Sequence, residues 1–143
     1  MNAQELISLW FSKWESGDFL SLPVTDNFSH TSPFGTIDGK DAYLKLVKAN
    51  KEKFLNHRFV IHDALYEKDK ACVRYTAIQS DFELDVSEWY YLKNGLIDKI
   101  TAYYHIGEIR DDRQLKTSWA GLFKTADSFK SLHNSFRIDQ RKN

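Results

Sequence analysis

The chain opens on a helical period. Leu6, Ile7, Trp10, Phe11 and Trp14 recur three and four residues apart, which predicts one amphipathic helix over residues 3 to 16. Gly17 ends it, and Asp18 is placed to cap a short second helix that stops at Pro23. Asn27 to Pro33 reads as a short strand, followed by a turn at Pro33-Phe34-Gly35. Gly39 introduces a third helix to about Phe54, with Ala42, Tyr43, Leu46, Val47 and Phe54 as its apolar positions.

From residue 57 the period changes to two. His57 to Glu67, Lys70 to Ser80, Phe82 to Lys93 and Leu96 to Glu108 read as four long strands. The breaks between them are short, at Lys68-Asp69, Asp81 and Asn94-Gly95. Parallel strands need long crossovers, so short breaks predict an antiparallel meander, and Asn-Gly between alternating runs is a strong hairpin signal. Helices at one end and strands at the other predict an α+β fold, in which a strongly bent antiparallel sheet wraps the N-terminal helices and leaves a pocket. Leu115, Trp119, Leu122, Ala126, Phe129, Leu132 and Phe136 return to helical spacing. The expected organisation is therefore a domain over 1–110 with a C-terminal helical extension of the same domain over 111–143.

Composition narrows the function classes. The 143 residues suit one core, 15% of them are aromatic, and 20 basic residues balance 20 acidic ones. A nucleic-acid binder would show a basic excess, so none is expected as a partner. No apolar run approaches the ~20 residues that span a bilayer, so no membrane partner is expected either. The N-terminus lacks a basic stretch followed by an apolar one, which argues against a signal peptide. Cys72 is the only cysteine, which fits a reducing cytoplasm. His57, His62 and His133 have no ligand spacing, and neither a metal nor a cofactor is implied.

Several strings carry a resemblance. Glu15-Ser16-Gly17-Asp18 follows the aromatic helix, Phe28 to Gly39 runs into Ile37-Asp38-Gly39-Lys40-Asp41, and Asn94-Gly95-Leu96-Ile97 precedes Ile100 and Tyr103-Tyr104. Their order over roughly residues 3 to 108 resembles the nuclear-transport-factor-2-like superfamily, and within it the SnoaL-like proteins. The resemblance implies a cone-shaped α+β barrel with an interior pocket. In the ketosteroid isomerases of that superfamily, the general-base aspartate stands in an Asp-Pro-Phe-Gly string. Here the string is Ser32-Pro33-Phe34-Gly35. The oxyanion-hole tyrosine corresponds to Trp10, the protonated aspartate to Glu88, and a pocket tryptophan to Tyr104. One catalytic position of three keeps its chemistry, and a serine cannot serve as a general base near neutral pH. Ordinary steroid isomerisation is not expected.

Glu88 shares a strand face with Phe82, Leu84, Val86, Tyr90 and Leu92. On an apolar concave wall, desolvation would keep it neutral and able to donate a hydrogen bond. The alternative is an ion pair with Arg74 or Lys99. A three-residue loop of Lys93, Asn94 and Gly95 would pair Glu88 with Ile100 and gather the even-numbered residues of both strands on one face. A two-residue Asn-Gly loop would instead put Trp89 and Tyr104 on one face and Glu88 on the other. The first register is preferred because it builds an apolar wall. His30 has the strand parity of Ser32 and is either a base or acid for catalysis or a hydrogen-bonded rim histidine. His105, beside Tyr104, falls on the other face. Trp10 and Trp14 share a helical face and serve core and pocket floor at once. The expected site is thus Glu88 and His30 as catalytic candidates, with Trp10, Trp14, Ser32, Tyr90 and Tyr104 around the ligand. Two function classes stay open: acid/base chemistry on a small hydrophobic molecule, of isomerase, cyclase or hydrolase type, and a non-catalytic ligand-binding or dimerisation module. Trp89, Tyr91 and Tyr103 would sit on the convex face and need a cover, which the C-terminal helix or a second subunit could provide, and a homodimer is expected.

Overall fold

The first helix, α1 (Ala3–Ser16), starts and stops where its sequence dictates. Asn2 and Glu5 form a reciprocal capping box, with Glu5 N–H donating to Asn2 Oδ1 at 2.9 Å and Asn2 N–H donating to Glu5 Oε2 at 3.2 Å. Gly17 terminates the helix at φ 79°, a left-handed conformation that disfavours side chains, and a Cβ there would meet Leu55 Cδ2 at 3.3 Å. The buried stripe Leu6, Ile7, Trp10, Phe11 and Trp14 is the one that the sequence period marks. This computed structural model describes residues 1–109 and 111–114. From residue 115 onward, the expected helical extension lies outside the described residues.

After α1 the chain makes a single 3-10 turn at Phe19–Ser21 where a short helix is expected. Strand β1 (Val24–Ser32) begins earlier than the sequence suggests, and β2 (Gly35–Asp38) pairs back on it as a hairpin that the sequence pattern does not reveal. Four residues with one buried position carry too little alternation to stand out. Helix α2 (Lys40–Ala49) follows, buries Tyr43, Leu46 and Val47 against β1 and β2, and gives way to a 3-10 turn at Lys51–Lys53. The four strands of the meander are β3 (Arg58–Tyr66), β4 (Lys70–Gln79), β5 (Phe82–Lys93) and β6 (Leu96–Tyr103). They are antiparallel to one another, as the short breaks require.

One pairing corrects the all-antiparallel expectation. Strand β1 runs parallel to β6, giving the order β2-β1-β6-β5-β4-β3 in a curved, unclosed mixed sheet. The long connection through α2 and the meander makes this pairing possible. Both helices pack on the sheet, and the core lies between. No helix among the described residues is long and apolar enough to cross a membrane.

The β5–β6 hairpin corrects the expected register. Its loop is the two-residue Asn94-Gly95 turn, at φ 53° and 74°, with Lys93 opposite Leu96. The register then shifts between Tyr91 and Leu92, with Asp98 as the extra residue on β6. Beyond the bulge, Glu88 faces Ala102 rather than Ile100. The bulge restores the parity that the turn alone would have reversed. Even-numbered residues of β5 and β6 therefore share the concave face, and Trp89 stays outside, 42% exposed.

Candidate functional site

Between helices and sheet lies a cavity of about 280 Å³. Its floor is α1, through Trp10, Phe11 and Trp14, whose indoles stand edge to face 5.5 Å apart. One wall is β1 and α2, through His30, Ser32 and Tyr43. The opposite wall is β4 and β5, through Tyr75, Ala77, Leu84, Val86 and Glu88. At one end the chain after β6 crosses back, bringing Ile109, Arg113 and Gln114 to the rim. Lys53 holds this crossing by donating to the carbonyls of Asp112, at 3.0 Å, and Gln114. Arg113 donates to the side-chain carbonyl of Gln79 and lies 5.2 Å over the Phe82 ring.

Glu88 is the buried carboxyl on this apolar wall, 6% exposed. Its strand neighbours across the sheet are Val73 and Ala102, and both ladder groups are apolar. The Tyr75 hydroxyl donates to one carboxyl oxygen, and the Tyr90 hydroxyl donates to the other at 2.6 Å. Burial pushes the Glu88 pKa above the ordinary carboxylate value, and the two phenol hydrogen bonds oppose that rise without cancelling it. The neighbouring phenols respond in kind. Burial first, and then the Glu88 charge, raises both Tyr75 and Tyr90 well above the usual phenol value. Neither expected ion pair forms. Arg74 lies opposite Ser87 on the outer face and pairs with Asp63 at 2.7 Å, while Lys99 sits 5.5 Å over the Tyr91 ring.

The other expected residues fall as follows. Trp10, Trp14, His30, Ser32 and Tyr104 border the same cavity as Glu88. Tyr90 does not border it. That side chain is wholly buried behind Glu88, with its ring 6.5 Å from those of Trp10 and Phe11. Tyr104 shares a hydrogen bond with Ser32, and burial pushes its phenol up to about 12. His30 stacks on Tyr43 with ring centroids 5.3 Å apart, and burial lowers its pKa to about 4. His105 lies away from the cavity and accepts from the Gly107 N–H at 3.1 Å. Tyr75 and Tyr43 escape the sequence reading. The parity of Val73 and Ala77 places Tyr75 on the inner face of β4, and Tyr43 reads simply as a core position of a helix.

Among the described residues, no group of three His, Cys, Asp or Glu is arranged to hold a metal ion. A SnoaL-like domain model matches residues 9–127. The chain belongs to the SnoaL-like family. Solved structures of similar fold include an NTF2-like protein of unknown function from Cytophaga hutchinsonii, 20% identical, with a TM-score of 0.62 over 73% of this chain and 91% of that one. A SnoaL-like protein of unknown function from Burkholderia thailandensis is 19% identical, with a TM-score of 0.59 over 72% and 93%. SalBIII, the epoxide hydrolase/cyclase-like enzyme of pyran ring formation in the polyether salinomycin, is 15% identical, with a TM-score of 0.62 over 73% and 92%. At these identities the likeness establishes the fold alone. No curated protein sequence matches the chain.

Proposed function

We propose that this SnoaL-like chain takes up a small, mostly apolar organic molecule and presents the Glu88 carboxyl to one of its oxygen atoms. The observation that carries this reading is a buried carboxyl on the wall of an apolar cavity, gripped by two phenols with no cation paired to it among the described residues. Rings and aliphatic side chains make up most of the cavity lining, as in pockets for hydrophobic ligands. A carboxyl with a raised pKa is neutral over more of the pH range, and a neutral acid can donate to an oxygen or protonate it as charge develops there. Tyr75 and Tyr90 fix the orientation of that acid, so its own proton has the cavity side left to it. Opening of an epoxide, ring closure and double-bond isomerisation all need such a donor. SalBIII has a name for chemistry of this kind on the same fold.

A second reading is non-catalytic binding, and the phenol cage favours it, because each Glu88 oxygen already has a partner. A panel of apolar ketones, epoxides and alcohols separates the two. Quenching of Trp10 and Trp14 fluorescence reports binding, and chromatography of the mixture reports turnover. For a catalytic acid, Glu88→Gln binds near the wild-type level and loses on the order of a hundredfold or more in rate, since an amide donates a hydrogen bond but no proton. For a carrier, wild type turns nothing over, Glu88→Gln binds like it, and Glu88→Ala binds about 1–3 kcal/mol more weakly. Equal affinity in all three proteins removes Glu88 from the site.

A further inference from the structure

The two phenols around Glu88 have their hydrogen bonds, but a third phenol in the cavity does not. Tyr43 is 6% exposed and borders the cavity, and its hydroxyl makes no hydrogen bond to another side chain or backbone group among the described residues. The His30 ring, stacked on it and partly exposed at the cavity, likewise makes no side-chain hydrogen bond among those residues. Both groups are held firmly. Tyr43 is clamped edge to face on Phe28 at 5.0 Å, and His30 is fixed in β1 between Ile37 of β2 and Ile100 of β6. Neither group is sealed off, since among the described residues Arg113 Nε is the one fully buried side-chain polar atom without a partner, so both reach the cavity, where a matching ligand can replace water.

We propose that Tyr43 and His30 form a subsite for the hydroxyl group of an alcohol, with the Tyr43 O–H donating to the ligand oxygen and a free nitrogen of His30 accepting the ligand's proton. Neutral imidazole offers one N–H and one lone pair, and burial holds His30 neutral at any pH well above about 4. The subsite therefore supplies a donor and an acceptor side by side, which is what one hydroxyl requires. A ketone satisfies only the Tyr43 half. Glu88 and Tyr104 lie close enough for their charges to raise the Tyr43 pKa after burial has done so, which keeps that proton on the phenol. Glu88 lines the same cavity as this pair. The inference rests on the cavity taking up an apolar molecule, as proposed above, and names the functional group it selects.

The test uses three bicyclic probes of one shape: tetralin, 1-tetralone and 1-tetralol. Affinities are measured by calorimetry for wild type, Tyr43→Phe, His30→Phe, Trp10→Phe and Glu88→Gln. Wild type is expected to prefer tetralone to tetralin, and tetralol to tetralone, by on the order of tenfold per step, about 1.4 kcal/mol each. Tyr43→Phe abolishes the tetralone step while tetralin affinity holds. His30→Phe leaves that step intact and abolishes the tetralol step. Loss of the tetralone step in Trp10→Phe or Glu88→Gln, with Tyr43→Phe unchanged, moves the oxygen to those groups and overturns the subsite while the cavity reading stands. No preference among the probes in wild type overturns it too. Failure of wild type to bind any of the three overturns both. Tyr43→Phe keeps the ring and His30→Phe keeps an aromatic face for stacking, so melting curves are expected to stay cooperative, and tetralin affinity serves as the control for an intact cavity.

Discussion

Glu88 and His30 border one cavity, yet burial moves their protons in opposite directions along the pH axis. Glu88 is raised from its ordinary value, so between that value and its folded pKa the folded chain holds a proton that the unfolded chain has released. Its contribution to stability is full at low pH and is lost as pH rises through the folded pKa. His30 falls from 6.5 to about 4, so across that window the unfolded chain binds a proton that the folded chain lacks. Its contribution is present above 6.5 and is lost as pH falls through about 4. Chemical denaturation between pH 4 and 6.5 is expected to show the two effects separately. His30→Phe flattens the acid-side loss by on the order of 1–3 kcal/mol, whereas Glu88→Gln steepens it, because the opposing proton is gone. Slopes that move in the same direction in both variants would show that one of the two assignments is wrong. Strand parity was enough to bring Glu88, His30 and Ser32 to one cavity, because alternation along a strand is strict. Parity could not supply their partners. Tyr75 comes from a neighbouring strand whose inner face had no marker comparable to a carboxyl, and Tyr43 from a helix where an aromatic at an apolar position looks like any core residue.

Elements follow local pattern where the pattern is long, and depart from it where one residue decides. The capping box of α1, its Gly17 stop and its buried stripe are all written in adjacent residues, and so are the four meander strands. The register of β5 on β6 is not. The Asn94-Gly95 turn on its own would have put Glu88 outside, and Asp98 undoes this by adding one residue to β6. A bulge has no composition signature, so alternation alone could not show it. The Asp98 carboxylate also accepts from the Thr25 hydroxyl at 2.7 Å, which ties the bulge to β1 beside the parallel pairing. Two changes at this position should therefore differ in kind. Asp98→Ala removes one partly buried hydrogen bond and costs about 1 kcal/mol. Deleting Asp98 slips the strand by one residue and turns Ile100 and Ala102, both buried, towards the outer face. Urea titration is expected to show a small shift of the midpoint for the substitution and loss of a cooperative transition for the deletion. A deletion variant as stable as the substitution would mean that the bulge does not set the register. On the helix side, Trp10→Ala opens space beneath Phe28, Trp14 and Tyr90, all within 6.5 Å ring to ring, and is expected to cost about 3–5 kcal/mol by the same titration.

At the scale of the whole molecule, the inner face of the sheet is used up by the helices and the cavity, while no described helix covers the outer face. A row of register partners crosses it: Leu65, Cys72, Trp89, Thr101, Thr31 and Thr36. Leu65 is 75% exposed, Trp89 42%, and Tyr103, one row further on, 59%. Large rings on the central strands β5 and β6, continued by a leucine on the edge strand β3, are poorly explained by solvent, since extended apolar patches on a monomer mark interaction surfaces. Charged residues flank the row. Arg74 is engaged with Asp63, and Lys99 with the Tyr91 ring. A second copy of the chain is the occupant proposed, because a twofold pairing of two such faces buries the same rings on both sides without requiring any further molecule. A stable pair needs roughly 800 Å² from each partner, and a sheet face of four long strands is large enough to supply it. Sedimentation equilibrium at micromolar concentration is expected to give about twice the 16.8 kDa chain mass. Trp89→Glu places a charge at the centre of the row and should return the single-chain mass, while leaving the inner face, and hence tetralin binding, intact. A wild-type chain that sediments at 16.8 kDa would exclude the pairing. A dimer that survives Trp89→Glu would place the interface on another surface, and the outer rings would then require a different cover.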